Sequence, residues 1–333
     1  MLKKKSFIIV LKTIISISLL TFLLLNIEWD KVLENLRSAN IFLLLIASLL
    51  NLTERFELTF KWNLLIRARN IIVKFGRLFL INAIGSFLGI FLPSSLGTDV
   101  VRGYYLVKDN SEKTVSISSV FVDRVLGMFS LLTFGVVSVF FAGDLIDKFN
   151  IKSYVIVLFF VVVIAFYFFQ KKEAVSFFQS LLKRIKHKKI VDNIISLHNS
   201  ILEYKKHPKT LIFAFIITLL VQVTRVLTYY FIALAFNIHF PIVYFFLFVP
   251  LIMLVMMIPI SIGGLGVKEG TFVAFFTLIG MSVNDAVIIS FMNSFLDILN
   301  TLILGGGGYL FYKPNTKEDS TINNNHNLVK TNE

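Results

Sequence analysis

Residues 78–106 read LFLINAIGSFLGIFLPSSLGTDVVRGYYL, and the reading of this stretch decides the fold. Up to Leu92 it is apolar enough to dissolve in lipid. Pro93, two serines and Gly97 then break it, and Asp99 and Arg102 follow. In a soluble protein this would be a loop. In a bilayer, irregular backbone persists only where protein or water covers its polar groups.

The rest of the chain argues for the bilayer. Of 333 residues, 56% are hydrophobic and 16% charged, with a mean hydropathy of +0.80, whereas soluble domains carry about 25% charged residues. Apolar runs close to the ~20 residues needed to cross a hydrocarbon core recur along it. A large soluble catalytic domain is excluded. The net charge is +13, and the cations sit between apolar runs. The positive-inside rule accounts for them, with anionic headgroups as their neighbours rather than nucleic acid. Cysteine is absent, which removes disulfides, thiolate metal sites and a cysteine nucleophile. The five histidines are scattered without metal-ligand spacing, and no ATP-binding motif is present, so no cofactor is expected.

Hydrophobic patterning predicts helices over about 7–25, 41–60, 115–142, 151–169, 210–236, 242–260, 267–282 and 285–311. The first apolar run is longer than the core of a signal peptide and has no cleavage site, so it reads as a retained helix with a cytoplasmic N-terminus. The linker 26–40 has the apolar spacing to lie flat at the interface, and the segment after Lys313 reads as a disordered tail. Lys61, Arg67, Arg69, Lys74 and Arg77 place the segment after the second helix inside. Ten further Lys/Arg between residues 171 and 209 mark a basic cytoplasmic segment with an amphipathic helix. A single crossing by residues 78–112 would put the ten-cation segment outside. A re-entrant hairpin with its tip at Pro93–Gly97 puts every basic segment inside.

The second half repeats the pattern. Pro93-Ser94-Ser95-Leu96-Gly97 returns as Pro259-Ile260-Ser261-Ile262-Gly263, each after a long apolar run and each followed by a cation nine residues beyond the proline, Arg102 and Lys268. The preceding helices carry Arg55 and Arg225. Charge topology gives those helices opposite directions, so a second hairpin would come in from the other face. Two broken tips meeting at the midplane are the signature of inverted-repeat transporters. The expected fold is an all-α polytopic membrane protein of about 7–8 transmembrane helices with two re-entrant hairpins, the repeats covering about 41–142 and 210–311 within a transmembrane domain at 1–312.

The expected binding residues are of two kinds. Pro93, Ser95 and Gly97, with Pro259, Ser261, Gly263, Gly264 and Gly266, shape the tips. The helix ends there leave N–H groups suited to phosphate. Asp99, Arg102, Asp123, Arg124, Arg225, Lys268, Glu269 and Asp297 are charges within or beside the spans. A charge at the bilayer centre costs about 2.5–3.5 kcal/mol, so each should face a partner or a wet cavity. Asp297 with Arg225, and Asp123 with Arg102, are the expected pairs if the charges are structural. Glu54 and Glu57 read as snorkelling at the inner interface. No Ser–His–Asp arrangement is visible, and no catalytic residue is expected.

The segments LPSSLGTDVVRGYYL, FVDRVLG and IPISIGGLGVKEG together resemble the lysylphosphatidylglycerol synthase transmembrane-region family, the flippase-like or UPF0104 proteins, over about residues 5–312. Asp99, Arg102, Asp123, Arg124, Lys268 and Glu269 fall on its motif positions, while Ser94-Ser95-Leu96 departs from its glycine-rich first tip. Larger members add a soluble aminoacyl transferase, so the resemblance implies the lipid-moving module without it. The function expected is translocation of a lipid between leaflets of the cell membrane. The lipid would be an anionic or aminoacylated phospholipid or a polyprenyl-phosphate-linked sugar, and a homo-oligomer is compatible with that role. Two other classes stay open at this point: a membrane-embedded lipid-modifying transferase, and a scaffold for a separate cytoplasmic synthase.

Overall fold

The computed structural model describes residues 37–92, 97–110, 112–141, 188–258, 261, 264 and 266–312, with isolated positions at 21 and between 153 and 164. The expected helix over 7–25, most of the linker 26–40, most of the helix over 151–169, the first part of the basic segment and the tail lie outside the described residues. Among those described there is no strand.

In chain order the helices are α1 (Ile41–Arg67), α2 (Phe75–Ile90), α3 (Gly97–Asn110), α4 (Lys113–Phe141), α5 (Lys188–Glu203), α6 (Pro208–Ala235), α7 (Ile242–Met256), α8 (Val267–Leu278) and α9 (Val283–Thr301). A π-helical turn, Leu302–Gly306, joins α9 to α10 (Gly307–Phe311). Local chemistry sets several ends. Asn40 caps α1 by accepting from the N–H groups of Phe42 and Leu43 at 3.0 and 3.3 Å, Ser282 caps α9 through Asp285 N–H, and Pro208 begins α6 where a missing N–H costs nothing.

Among the described residues, three segments are long and apolar enough to cross a membrane: Lys113–Ser138, Pro208–Ala235 and Val283–Phe311. The chain is a multi-pass membrane protein. Helix α1 has 27 residues, about 40 Å, but carries more charge. Helices α2 and α7, with 16 and 15 residues, reach only about 22–24 Å, short of the ~30 Å core.

Helices α2 and α3 run antiparallel. Gly89 faces Thr98, Gly85 faces Arg102, and Arg77 grips Asp109 at 2.7 and 2.9 Å. A side chain at Gly97 would strike Leu92 Cβ at 2.6 Å, so only glycine lets α3 start this close to the end of α2. Helices α7 and α8 form a second antiparallel pair through aromatic rings, with Phe245 and Phe276 centred 4.8 Å apart. Phe272 stacks on Phe276 at 4.2 Å and on Tyr229 of α6 at 5.2 Å. These buried rings form the larger apolar core among the described residues, held by close packing rather than by withdrawal from water, since lipid is as apolar as the rings. A smaller core gathers Trp62, Ile66, Leu78, Ile81, Leu106 and Val120 in the first half.

Helices α1 and α6 pack against each other along their length in opposite directions. Asn40 N–H donates to Ala235 O at one end, and Glu54 meets Arg225 further along. The helix-to-helix contacts are unchanged when α1–α4 are exchanged for α6–α9: α1 touches α2, α4 and α9, while α6 touches α7, α9 and α4; α3 packs on α4 as α8 packs on α9; α7 packs on α4 as α2 packs on the end of α9.

Helices α7 and α8 end four residues before their expected ends at 260 and 282, and the largest departure is at α1. Helix α1 runs seven residues past the predicted end at 60, because Lys61 is no loop cation. It is buried and paired, and Trp62, Leu65 and Ile66 beyond it are fully covered.

Candidate functional site

The charges on α1 recur at helical spacing, with Glu54, Glu57 and Lys61 on one side and Arg55 beside them. Together they reach three other helices. Lys61 Nζ lies 2.8 Å from Asp123 Oδ1 on α4. Glu57 accepts from Thr224 Oγ1 of α6 at 3.0 Å. Glu54 pairs with Arg225 of α6, whose Nε lies 3.1 Å from Glu54 Oε1. Arg55 Nη2 lies 2.7 Å from Asp297 Oδ1 on α9 and also donates to Thr301 Oγ1.

Two sequence expectations are corrected here. Arg225 pairs with Glu54 and not with Asp297, which belongs to Arg55. Glu54 and Glu57 do not snorkel; both point at α6, because α1 and α6 pack face to face along this stretch. The other expected pair, Arg102 with Asp123, is present at 2.7 Å.

Around Arg102 the charges alternate in a chain. Lys61 holds Asp123, Asp123 holds Arg102, Arg102 Nη2 also reaches Asp99 Oδ1 at 2.8 Å, and Asp99 Oδ2 accepts from Arg124 Nη1 at 3.2 Å. The guanidinium of Arg102 lies 5.0 Å above the Trp62 ring. Trp62 is itself held by a bond from Nε1 to Ser119 Oγ at 3.0 Å. Three cations and two carboxylates leave this cluster one positive charge in excess.

These groups line a cleft of two adjoining lobes. The larger, about 300 Å³, is walled by Lys61, Asp99, Arg102, Asp123, Arg124 and Arg225 among others. The smaller, about 260 Å³, is walled by Asn51, Glu54, Arg55, Asp297 and Thr301, with residues of α2. Leu58, Asn82, Ser86, Thr98 and Met256 face both lobes and so form the partition between them. The cleft thus lies where the start of α3 approaches the end of α7. Within it, four cations face two carboxylates in the larger lobe, and two carboxylates face one arginine in the smaller.

Other expected site residues fall elsewhere. Pro93, Ser95, Pro259 and Gly263 lie outside the described residues. Ser261 is buried. Gly264 and Gly266, at φ +80° and +79°, shape the turn into α8 in a conformation that suits glycine. Lys268 is buried in the first turn of α8, and it and Glu269 line neither lobe. Glu269 is committed on both oxygens: Oε2 accepts from Gly266 N–H at 2.7 Å, and Oε1 accepts from Ser294 Oγ on α9. It caps α8 and ties it to α9. Lys61, Glu54, Arg55, Asn82 and Gln222 are cleft residues that the sequence reading did not select. The signal available was the spacing of charges along α1, all on one helical face or its edge.

The model of the lysylphosphatidylglycerol synthase TM region matches residues 9–305. The chain belongs to this family. Comparison with curated proteins and with solved structures returned no match. The family is a membrane-embedded one, in keeping with the apolar helices. Asp99, Arg102, Asp123 and Arg124, four of the positions that carry the family resemblance, are the ones that meet in the larger lobe. Glu269, another of those positions, caps α8 and bonds to Ser294 of α9.

Proposed function

We propose that the protein moves the polar headgroup of a membrane lipid between the two leaflets through this cleft, with the acyl chains remaining in lipid. The observation that carries the reading is the larger lobe, a cavity of about 300 Å³ with four cations in its wall, inside a chain too apolar to keep such charges without use. Guanidinium groups bind phosphate oxygens in a forked geometry, so Arg102 and Arg225 are the natural headgroup contacts. The substrate on this reading is a phospholipid or a lipid-linked glycan of the cell membrane, whose shared chemistry is a phosphate ester.

Alternating access follows from the architecture on the same reading. The contacts that survive exchange of α1–α4 for α6–α9, and the opposite directions of α1 and α6, support a pair of inverted repeats. The short pairs α2–α3 and α7–α8 are then re-entrant hairpins, entering from the cytoplasmic and outer faces respectively, with the N-terminus cytoplasmic.

The test is lipid movement in sealed liposomes. Wild type and Arg124→Ala, a residue on the cleft wall with a single carboxylate partner, are reconstituted with fluorescent phospholipids in both leaflets, and dithionite is added outside. Wild type is expected to bleach well beyond half of the signal and the variant to stay near half. Bleaching limited to half by folded wild type, with every lipid tried, would sink the proposal.

A further inference from the structure

The cations of the larger lobe are not equally committed. Lys61 and Asp123 are locked together, 3% and 5% exposed. Arg225 is held by Glu54 and by Gln222 Oε1 at 3.1 Å. Arg102 differs. A single nitrogen, Nη2, serves both Asp99 and Asp123, while its Nε is buried without a hydrogen-bond partner. The residue is only 5% exposed and lies in the cavity wall, and its guanidinium is not fully committed to the two carboxylates. Arg124 is the most accessible cation of this cluster at 27% exposure, and its ion pair is the longest of the cluster, 3.2 Å to Asp99. The two oxygens of Asp99 therefore bridge two guanidiniums, one on its own helix and one on α4.

A carboxylate whose two oxygens bridge two arginines occupies the geometry that two phosphate oxygens would take. We propose that Asp99 is a displaceable counter-ion: its carboxylate holds the position between Arg102 and Arg124 that the phosphate of the transported headgroup takes in transit. This rests on the reading of the larger lobe as the headgroup site, and assigns to that site the phosphate position and the residue that controls it.

Charge bookkeeping supports the exchange. With Asp99 in place the cluster of Lys61, Arg102, Arg124, Asp99 and Asp123 carries one net positive charge. Turning Asp99 out as a phosphodiester comes in replaces one anion with another, so the net charge is conserved and no buried cation is stripped at any stage. Asp99 stands in the first turn of α3, where a rotamer change moves the carboxylate without moving the helix. Asp123 cannot play this part, because Lys61 and Arg102 hold it from two sides in the core. The same exchange explains release: the returning carboxylate competes with the phosphate for both arginines.

Asp99→Asn and Asp99→Glu test this in the purified full chain. The probes are dihexanoylphosphatidylglycerol, a soluble phosphodiester, and inorganic phosphate, with binding measured by calorimetry and folding by thermal melting. Asp99→Asn removes the competing charge and is expected to bind the short-chain lipid about tenfold tighter or more, since charge-assisted bonds to both arginines become free. Asp99→Glu, which keeps a competitor, stays near wild type, and Arg124→Ala lowers the affinity of Asp99→Asn again. Tightening for the lipid but not for inorganic phosphate identifies a lipid headgroup as the ligand; tightening for both identifies a general phosphate site, and either supports the counter-ion role. Equal or weaker binding by folded Asp99→Asn would make Asp99 a structural brace and overturn the proposal. Because the readout is binding, tightening in Asp99→Asn with no lipid movement by wild type would remove the transport reading and leave this one standing.

Discussion

Lys61 of α1 and Asp123 of α4 meet at 2.8 Å, with neither side chain more than 5% exposed. The pair anchors the alternating charge chain that ends at Arg124, and it fixes α1 to α4 beside the cleft. Removing one partner of a buried ion pair leaves a charge that water cannot reach, a loss of roughly 3–5 kcal/mol. Lys61→Met is therefore expected to lower the melting temperature in detergent markedly. Lys61→Met with Asp123→Leu should recover part of the loss. An unchanged melt in the single variant would show that Arg102 alone neutralises Asp123.

The pairing of Arg225 with Glu54 and of Arg55 with Asp297 is open to a double-mutant cycle. Glu54→Gln and Arg225→Gln should couple by about 0.5–3 kcal/mol, as residues in one ion pair do. The same cycle on Arg225 and Asp297 should return less than about 0.5 kcal/mol. Strong coupling in the second cycle would restore the partnership that the sequence alone suggested.

Four consecutive glycines, Gly305–Gly308, pack the end of the last helix against α2, but not all are needed. A Cβ at Gly305 would run into Ala83 O and lie 2.7 Å from Phe87 Cβ, whereas at Gly307 it would meet nothing within 4 Å. Gly305→Ala is expected to cost about 1–3 kcal/mol through overpacking. Gly307→Ala should be neutral or stabilise by up to about 1 kcal/mol through helix propensity. Equal melting temperatures for the two variants would count against this contact.

Tyr312, just past α10, donates to Asp109 Oδ1 at 2.7 Å, while Arg77 stacks over its ring at 4.0 Å and forks onto the same carboxylate. The base of the first helix pair is latched to the end of the last helix. Burial, and then the bond to Asp109, push the Tyr312 phenol above its ordinary value. A raised phenol contributes its full stability below the unfolded value near pH 10 and loses it as pH rises beyond. Tyr312→Phe should lower the melt by a few degrees at pH 7 and flatten its decline above about pH 10. An identical alkaline decline in the variant would show that other groups drive it.

Much of this protein was written locally. Apolar runs of membrane length, with proline and glycine breaks between them, reveal an all-helical membrane chain, because each depends only on neighbouring residues. Arg102 with Asp123 was also legible, the two lying on consecutive helices after the same broken segment. The choice of partner for the remaining charges was not. Whether Arg225 meets Asp297 or Glu54 depends on the rotation and depth of α1, α6 and α9 relative to one another. Those are set by packing between residues far apart in sequence, 242 positions in the bond from Arg55 to Asp297. The same long-range packing drew Lys61 from an apparent loop into the core and tied Glu269 to Ser294 of α9. Charge spacing states that a helix has a polar face; only the helices packed around it decide whether that face meets water, a carboxylate or a cleft.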